Sequence, residues 1–135
     1  MSNEKLQEKY AEYQMLENQL KQMQKQLEHV TEKISEVEEL QFSIGDLKGV
    51  SSGTEIFVPI SMGIFAKATL KENDSLIVNV GNNVVVNKTV EETKSLLANQ
   101  VKEMGKMHAH LVQQMEKLAI RAEELQSELQ QAPKE

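Results

Sequence analysis

The spacing of apolar residues changes along this chain, and that change constrains the fold more than any other feature. A stretch with heptad spacing comes first, a central segment of alternating apolar residues follows, and a second heptad stretch ends the chain. Apolar steps of three and four predict coiled-coil helices, whereas alternation predicts strands. The two helices can bury their seams against each other only if the chain doubles back, so the sequence predicts an antiparallel helical pair joined by a β unit.

The two apolar seams can be followed residue by residue. In the C-terminal half the steps alternate between four and three, with Lys94 and His108 in two core positions. The N-terminal half alternates in the same way, except for two successive steps of three from Tyr10 through Tyr13 to Leu16, which predict a local overwinding of the coiled coil. The seam residues are Leu6, Tyr10, Tyr13, Leu16, Leu20, Met23, Leu27, Val30, Ile34 and Val37 in the first helix, and Val90, Leu97, Val101, Met104, Leu111, Met115, Leu118, Ala122, Leu125 and Leu129 in the second.

The ends of the helices carry local signals. Gly49 offers a left-handed stop to the first helix. Thr89 and Glu92 have the spacing of a capping box at the start of the second helix, and Pro133 cannot continue that helix. These signals divide the chain into an N-terminal coiled-coil helix over residues 1–48, two β-hairpins over 49–88 and a C-terminal coiled-coil helix over 89–135.

The central segment predicts four short strands in two hairpins. The first hairpin joins Glu55–Ile60 to Ile64–Leu70, and the second joins Ser75–Val80 to Val84–Lys88 through a turn at residues 81–83. Four short strands cannot bury two faces alone, so we expect their apolar rows to pair with strands of other subunits. The residues expected to drive this assembly are Ile56, Val58, Ile60, Phe65, Leu76, Val78, Val80, Val84 and Val86.

Composition disfavours several classes of protein. The 135 residues carry a formal net charge of −6, which disfavours a nucleic-acid partner and an anionic membrane surface. The chain has no cysteine, which excludes disulfides and thiolate chemistry. The polar start lacks the apolar region of a signal peptide, and no apolar run approaches the roughly 20 residues of a membrane span. We therefore expect a soluble protein of the cytoplasm.

Nothing in the sequence predicts catalysis or a bound cofactor. No nucleophile and base can be paired, and the carboxylates are abundant only on solvated helix faces. His108 and His110 are two residues apart, so they point to different sides of a helix and do not form a metal site. We expect a protein that is not an enzyme and has no catalytic residue, no metal and no cofactor.

Four short motifs in the central segment resemble those of a known family. They are Val58-Pro59, Phe65-Ala66-Lys67-Ala68, Val78-Asn79-Val80-Gly81 and the valine-rich Val84–Lys88. Together with the order helix, two hairpins, helix, they resemble the α-class subunit of archaeal prefoldin. The likeness in architecture covers nearly the whole chain, and Ser61-Met62-Gly63 departs from the smaller residues that the family usually has at this turn.

The resemblance implies a fold and a function. The fold is α+β, a long antiparallel two-helix coiled coil joined by two β-hairpins that form part of an oligomeric β-barrel. The function is that of an ATP-independent chaperone, a hexamer in which two α-type subunits join four prefoldin β-type subunits. Such a hexamer holds unfolded polypeptides at the tips of its coiled coils and delivers them to a group II chaperonin. These expectations rest on analogy of fold.

The residues expected to contact unfolded clients lie where the two chain ends meet. An antiparallel pair brings the N-terminus of the first helix beside the C-terminus of the second, and exposed apolar surface there marks an interaction site. Met15 and Ile120 lie off the seam and are expected to face outward. The complete set is Leu6, Tyr10, Tyr13, Met15, Leu16, Leu118, Ile120, Leu125 and Leu129.

Two other functions fit the same pattern. A homo-oligomeric, filament-forming relative of prefoldin would assemble from this chain alone. A structural coiled-coil adaptor would bind one defined folded partner with its tips and would ignore unfolded chains. The mass of the assembly separates the first from a hexamer subunit, and binding to unfolded protein separates the second.

Overall fold

The computed structural model describes residues 2–131 and has two long helices that flank four strands. The elements are α1 (Asn3–Leu47), β1 (Glu55–Ser61), β2 (Ile64–Thr69), β3 (Ser75–Gly81), β4 (Val84–Thr89) and α2 (Val90–Gln131). The strands form two separate antiparallel hairpins, β1 with β2 and β3 with β4. The predicted order of helix, two hairpins and helix is confirmed. Pro133, expected to end the second helix, lies outside the described residues.

The chain forms two compact units. Of the described residues, a helical unit contains 2–34 and 103–131, and a mixed unit contains 35–102 with both hairpins. In the helical unit the two helices run antiparallel and bury a thin seam, as heptad spacing predicts. Its buried core is Leu16, Ala122 and Leu125, with Tyr13, Leu20 and Leu118 packed against it.

The seam differs from the prediction near the N-terminus of α1. Lys9 is half-buried there, whereas Tyr10 is 55 % exposed. With Lys9 in the seam, the steps from Leu6 to Leu16 alternate regularly, so the predicted overwinding is wrong. Lys9 can take this position because its aliphatic chain lies along the seam while its Nζ reaches a carboxylate oxygen of Glu128, 2.8 Å away.

The end of α1 also differs from the prediction. Gly49 does not adopt the left-handed conformation. Instead, the amide of Gly49 donates to the carbonyl of Asp46 at 3.1 Å, and the amide of Val50 donates to the carbonyl of Leu47 at 3.0 Å. Bonds between residues three apart tighten the last turn and satisfy carbonyls that the helix leaves free.

The two hairpins of the mixed unit are built alike. In each, two residues with positive φ connect the strands, Met62 (51°) and Gly63 (80°) in the first, Asn82 (50°) and Asn83 (60°) in the second. Two positive φ values are typical of a type I′ turn, whose twist matches that of the strands. Every strand of the second hairpin begins and ends 20 residues after its counterpart, for example at 75 against 55 and at 89 against 69.

Each hairpin also carries a bulge one residue before its turn. The pairing passes from Pro59 to Ser61 in the first hairpin and from Asn79 to Gly81 in the second. Ile60 and Val80 are the extra residues. A bulge breaks the alternation of side chains between the two faces of a hairpin. Ile60 and Val80 therefore do not simply extend the rows of the preceding alternate residues, as the sequence pattern suggested.

The second hairpin passes directly into α2. The capping box is confirmed, because the amide of Glu92 donates to Oγ1 of Thr89 at 3.1 Å and the amide of Thr89 donates to Oε1 of Glu92 at 3.3 Å. The buried Thr93 donates from Oγ1 to the carbonyl of Thr89 at 2.8 Å. Val90 follows as the first helical residue and is fully buried.

Candidate functional site

The candidate site lies at the end of the helical unit where the N-terminus of α1 meets the C-terminus of α2, called the helical end below. One side of it carries ion pairs. Arg121 donates to both carboxylate oxygens of Glu12, at 3.1 and 3.3 Å, and to Glu124 at 3.4 Å, while Lys9 lies 2.8 Å from Glu128. We call this side the Arg121 face.

The ion pairs shift the pKa values of Arg121 and Glu128. The hydrogen bond with Glu12 raises the pKa of Arg121. The interaction with the Lys9 ammonium lowers the pKa of Glu128 below its ordinary value. The Arg121 face therefore holds the two helices together with paired charges that solvent partly screens.

The other side of the helical unit, called the Tyr10 face, carries two open grooves. The first, the end groove, has a volume of about 490 Å³ and is lined by Leu6, Gln7, Tyr10, Ala11, Gln14 and Leu129. The second, the lateral groove, has a volume of about 260 Å³ and is lined by Leu20, Leu27, Val112, Met115, Glu116 and Ala119. The surfaces of both grooves are mainly apolar.

Heptad positions place both grooves on one side. In the seven-residue repeat abcdefg, the a and d residues form the seam. Glu12 and Arg121 occupy g positions and meet across one side of the pair. In an antiparallel pair the e positions of both helices flank the opposite side of the seam. Tyr10, Val112 and Ala119 occupy e positions. The side chains that line the two grooves therefore belong to one face.

The predicted client-binding residues fall into three groups. Leu16 and Leu125 are buried in the core, with Tyr13 and Leu118 half-buried against them, so none of these four presents much surface to a client while the helices stay paired. Met15 and Ile120 are exposed, as expected, but line neither groove. The end groove brings together only three of the predicted residues, which are Leu6, Tyr10 and Leu129.

The sequence prediction missed the residues that flank the seam. Gln7, Ala11 and Gln14 line the end groove, and Val112 and Ala119 line the lateral one. A search for apolar or small residues at e positions would have found Val112 and Ala119. The glutamines carry no apolar signal, and they line the groove because of their place on the helix.

A second candidate surface lies on the hairpins. None of the nine residues predicted for assembly is fully buried: Ile56, Leu76, Val78 and Val86 are half-buried, and Val58, Ile60, Phe65, Val80 and Val84 are exposed. Phe57 and Ile77, which the prediction left out, are 64 % and 74 % exposed. Pairing places Phe57 opposite Lys67, and Phe65 opposite Pro59, on the same face of β1–β2. Both faces of this hairpin therefore present apolar side chains.

Across residues 2–131, no helix is long and apolar enough to cross a membrane. Within the same part of the chain, no three side chains of the metal-binding types come together.

Comparison with known proteins identifies the family. Residues 16–135 match the prefoldin family, described as Prefoldin subunit. The chain is 25 % identical to prefoldin subunit alpha of Thermofilum pendens over 95 % of this chain and 97 % of that protein, and 30 % identical to the Pyrococcus horikoshii subunit over 76 % and 70 %. A filamentous prefoldin from Methanocaldococcus jannaschii superposes with a TM-score of 0.80 over 88 % of this chain and 98 % of that chain, at 18 % identity. The chain therefore belongs to the prefoldin family, in the class of the archaeal α subunits.

Proposed function

We propose that this chaperone subunit holds unfolded polypeptides at its helical end, without nucleotide, and delivers them to a group II chaperonin. The end groove is the observation that carries the proposal. It is an open, mainly apolar surface that includes the ring of Tyr10, which is 55 % exposed. Exposed apolar surface of this kind is typical of interaction sites, and contacts without demanding hydrogen-bond geometry suit clients of many sequences.

Assembly is the second part of the proposal. The apolar side chains of both hairpins would be covered by strands of other prefoldin subunits, in a hexamer with two α-type and four β-type chains. Several helical ends in one assembly would bind the same client together, so weak single contacts would add up to firm retention. The proposal places the assembly in the cytoplasm, where it would meet nascent chains.

The client-holding role is tested by the aggregation of a chemically unfolded protein, with and without the assembled complex. We expect Tyr10→Ser combined with Ala11→Ser to weaken suppression of aggregation while the mass of the complex stays the same. Met107→Ser is the matched control, since Met107 has the same 55 % exposure and lies in the helical unit but lines an apolar groove on the opposite, Arg121 face. Undiminished suppression by the double variant would count against the end groove.

The assembly is tested by the mass of the purified chain, alone and mixed with a β-type subunit. A small species that becomes a hexamer on mixing supports the proposal. Large homo-oligomers that ignore the β-type subunit would favour a filament-forming relative, the kind of assembly named for the Methanocaldococcus jannaschii structure. Binding to one native protein and to no unfolded chain would favour the adaptor.

A further inference from the structure

Charge is distributed unequally between the two faces of the helical unit. On the Arg121 face, the carboxylates of Glu12, Glu124 and Glu128 are paired with Arg121 or Lys9. The Tyr10 face lacks a comparable balance. Its e and b positions from residue 7 to 28 and from 112 to 130 hold four carboxylates and one lysine, which are Glu17, Glu28, Glu116, Glu123 and Lys21. The apolar grooves therefore lie in a field of net negative charge.

The carboxylates are placed to act on a bound ligand. Glu116 itself lines the lateral groove beside Met115 and Ala119. Glu17 lies one heptad after Tyr10, between the stretches of α1 that line the two grooves, and accepts a hydrogen bond from Tyr13 that raises the pKa of that phenol. Both carboxylates are exposed at the surface. A cation bound in the neighbouring groove would meet them at short range, where Coulomb attraction is least screened.

A third groove offers a contrast, and it lies on the Arg121 face because Gln26 and Met107 line it from g positions. It is also mainly apolar, but its lining includes Lys25 and His29 and no carboxylate. Met107 and Leu111 supply its α2 side. The two faces therefore differ in the sign of the charge beside their apolar surface, although both offer apolar side chains.

We propose that the Tyr10 face binds extended polypeptide segments in which apolar residues are flanked by lysine or arginine. The inference rests on the proposed client-holding function and adds a class of client to it. The two grooves span α1 from Leu6 to Leu27, about 30 Å at the rise of an α-helix. An extended segment of about nine residues covers that length. Its apolar side chains contact the grooves, and its cationic groups lie beside Glu17 and Glu116.

Two fluorescent nonapeptides test the proposal. They share one central apolar sequence, and one carries two flanking lysines where the other carries two flanking glutamates. Binding is followed by fluorescence anisotropy with the full-length chain in the oligomeric state in which it purifies. We expect the lysine peptide to bind about tenfold more tightly in low salt, and we expect this advantage to shrink as ionic strength rises.

Variants of this chain connect the preference to the Tyr10 face. Glu17→Gln combined with Glu116→Gln should reduce the advantage of the lysine peptide about threefold. Glu8→Gln combined with Glu32→Gln removes the same charge from exposed positions outside the groove linings and should leave the preference intact. The salt dependence of the unaltered protein keeps the test decisive if a variant folds poorly.

The other possible results separate the charge preference from the client-holding function. Equal binding of the two peptides, together with normal suppression of aggregation, would overturn the charge preference and leave the client-holding function standing. Equal effects of the two double variants would overturn the assignment to the Tyr10 face. Failure to bind either peptide, with no suppression of aggregation, would overturn the preference and the proposed function together.

Discussion

Arg121 reaches across the helical unit and donates two hydrogen bonds to the carboxylate of Glu12, from Nε at 3.1 Å and from Nη2 at 3.3 Å. Paired hydrogen bonds of this kind restrict the axial alignment of the two helices, because both bonds weaken if either helix slides along its axis. Both side chains are about two-fifths exposed, so solvent reduces the free energy that the pair contributes. The pair specifies the register of the helices more than it stabilises them.

The ion pair of Lys9 with Glu128 predicts a loss of stability in acid. Because the folded state lowers the pKa of Glu128, the pair stabilises the protein above the ordinary carboxyl pKa of 4.5. The stabilisation is lost as pH falls through the lower, folded pKa. Glu128→Gln should therefore lower the melting temperature at pH 7, and its difference from the unaltered protein should shrink as pH falls below 4.5. Glu8→Gln, at an exposed position outside these pairs, should leave the melting temperature at pH 7 unchanged.

Leu125 should be the most sensitive position of the helical unit. Its side chain is fully buried against Leu16 and Ala122, so Leu125→Ala removes contacts and leaves a cavity. We expect a loss of about 2–4 kcal/mol in the free energy of unfolding, measured by urea denaturation with circular dichroism. Ile120→Ala, five residues earlier on the same helix but at an exposed position, should change it by less than about 0.5 kcal/mol. Similar losses of unfolding free energy at both positions would contradict the burial of Leu125 in the seam.

Two glycines should respond to alanine in opposite directions. Gly105 lies inside α2, and a methyl group there would meet no atom within 4 Å. Gly105→Ala should therefore stabilise the chain by about 0.5–1 kcal/mol, because alanine restricts the unfolded chain and favours the helix. Gly63→Ala should destabilise it by about 1 kcal/mol, because the turn holds Gly63 at φ +80°. Thermal unfolding should show a higher melting temperature for Gly105→Ala and a lower one for Gly63→Ala. Shifts of both melting temperatures in the same direction would contradict the prediction.

The capping box can be tested against a matched residue. Thr89→Ala removes the oxygen that accepts from the amide of Glu92, and should cost about 1 kcal/mol. Thr69 is its counterpart 20 residues earlier and ends β2, where no helix follows. Thr69→Ala should therefore cost less, and chemical denaturation of the two variants gives the comparison. Equal costs would mean that Thr89 acts only as a strand residue.

The second hairpin should control assembly. Val78 is half-buried, pairs with Val86 and lies on a face of exposed and half-buried apolar residues. Val78→Glu places a charge where a partner strand would pack, so we expect a smaller species by light scattering, whether or not the β-type subunit is present. Glu72→Lys changes charge in the exposed loop before β3 and should leave the mass unchanged. An assembly of normal mass from Val78→Glu would exclude this strand from the interface.

Several parts of the fold could be predicted because local chemistry determines them. Thr89 and Glu92 cap the helix through their own backbone amides, so their spacing is sufficient. The turn at Asn82 and Asn83 was predictable because asparagine tolerates positive φ. The bulge at Ile60 was not, because one extra residue leaves no mark in an alternating sequence.

The candidate site was harder to predict because it depends on how two distant segments meet. Counting apolar residues assigned Tyr10 to the seam. Lys9 occupies that position instead, because its ammonium group forms an ion pair with Glu128 on the other helix. The same count selected Leu16 and Leu125, whose burial in the core withdraws them from the surface. An apolar residue is equally apolar inside a seam and beside it, so only the packed structure separates the two.

The direct passage from Thr89 to Val90 has a consequence for how the chain tolerates length changes. One residue inserted between them would turn the apolar stripe of the following helix by about 100° away from its seam. Residues 48–54, between α1 and β1, belong to no helix or strand, so one residue inserted there leaves the apolar stripe of α2 in phase with its seam. The chain can thus gain a residue before the first hairpin, whereas a residue gained between the second hairpin and α2 would displace the seam of that helix.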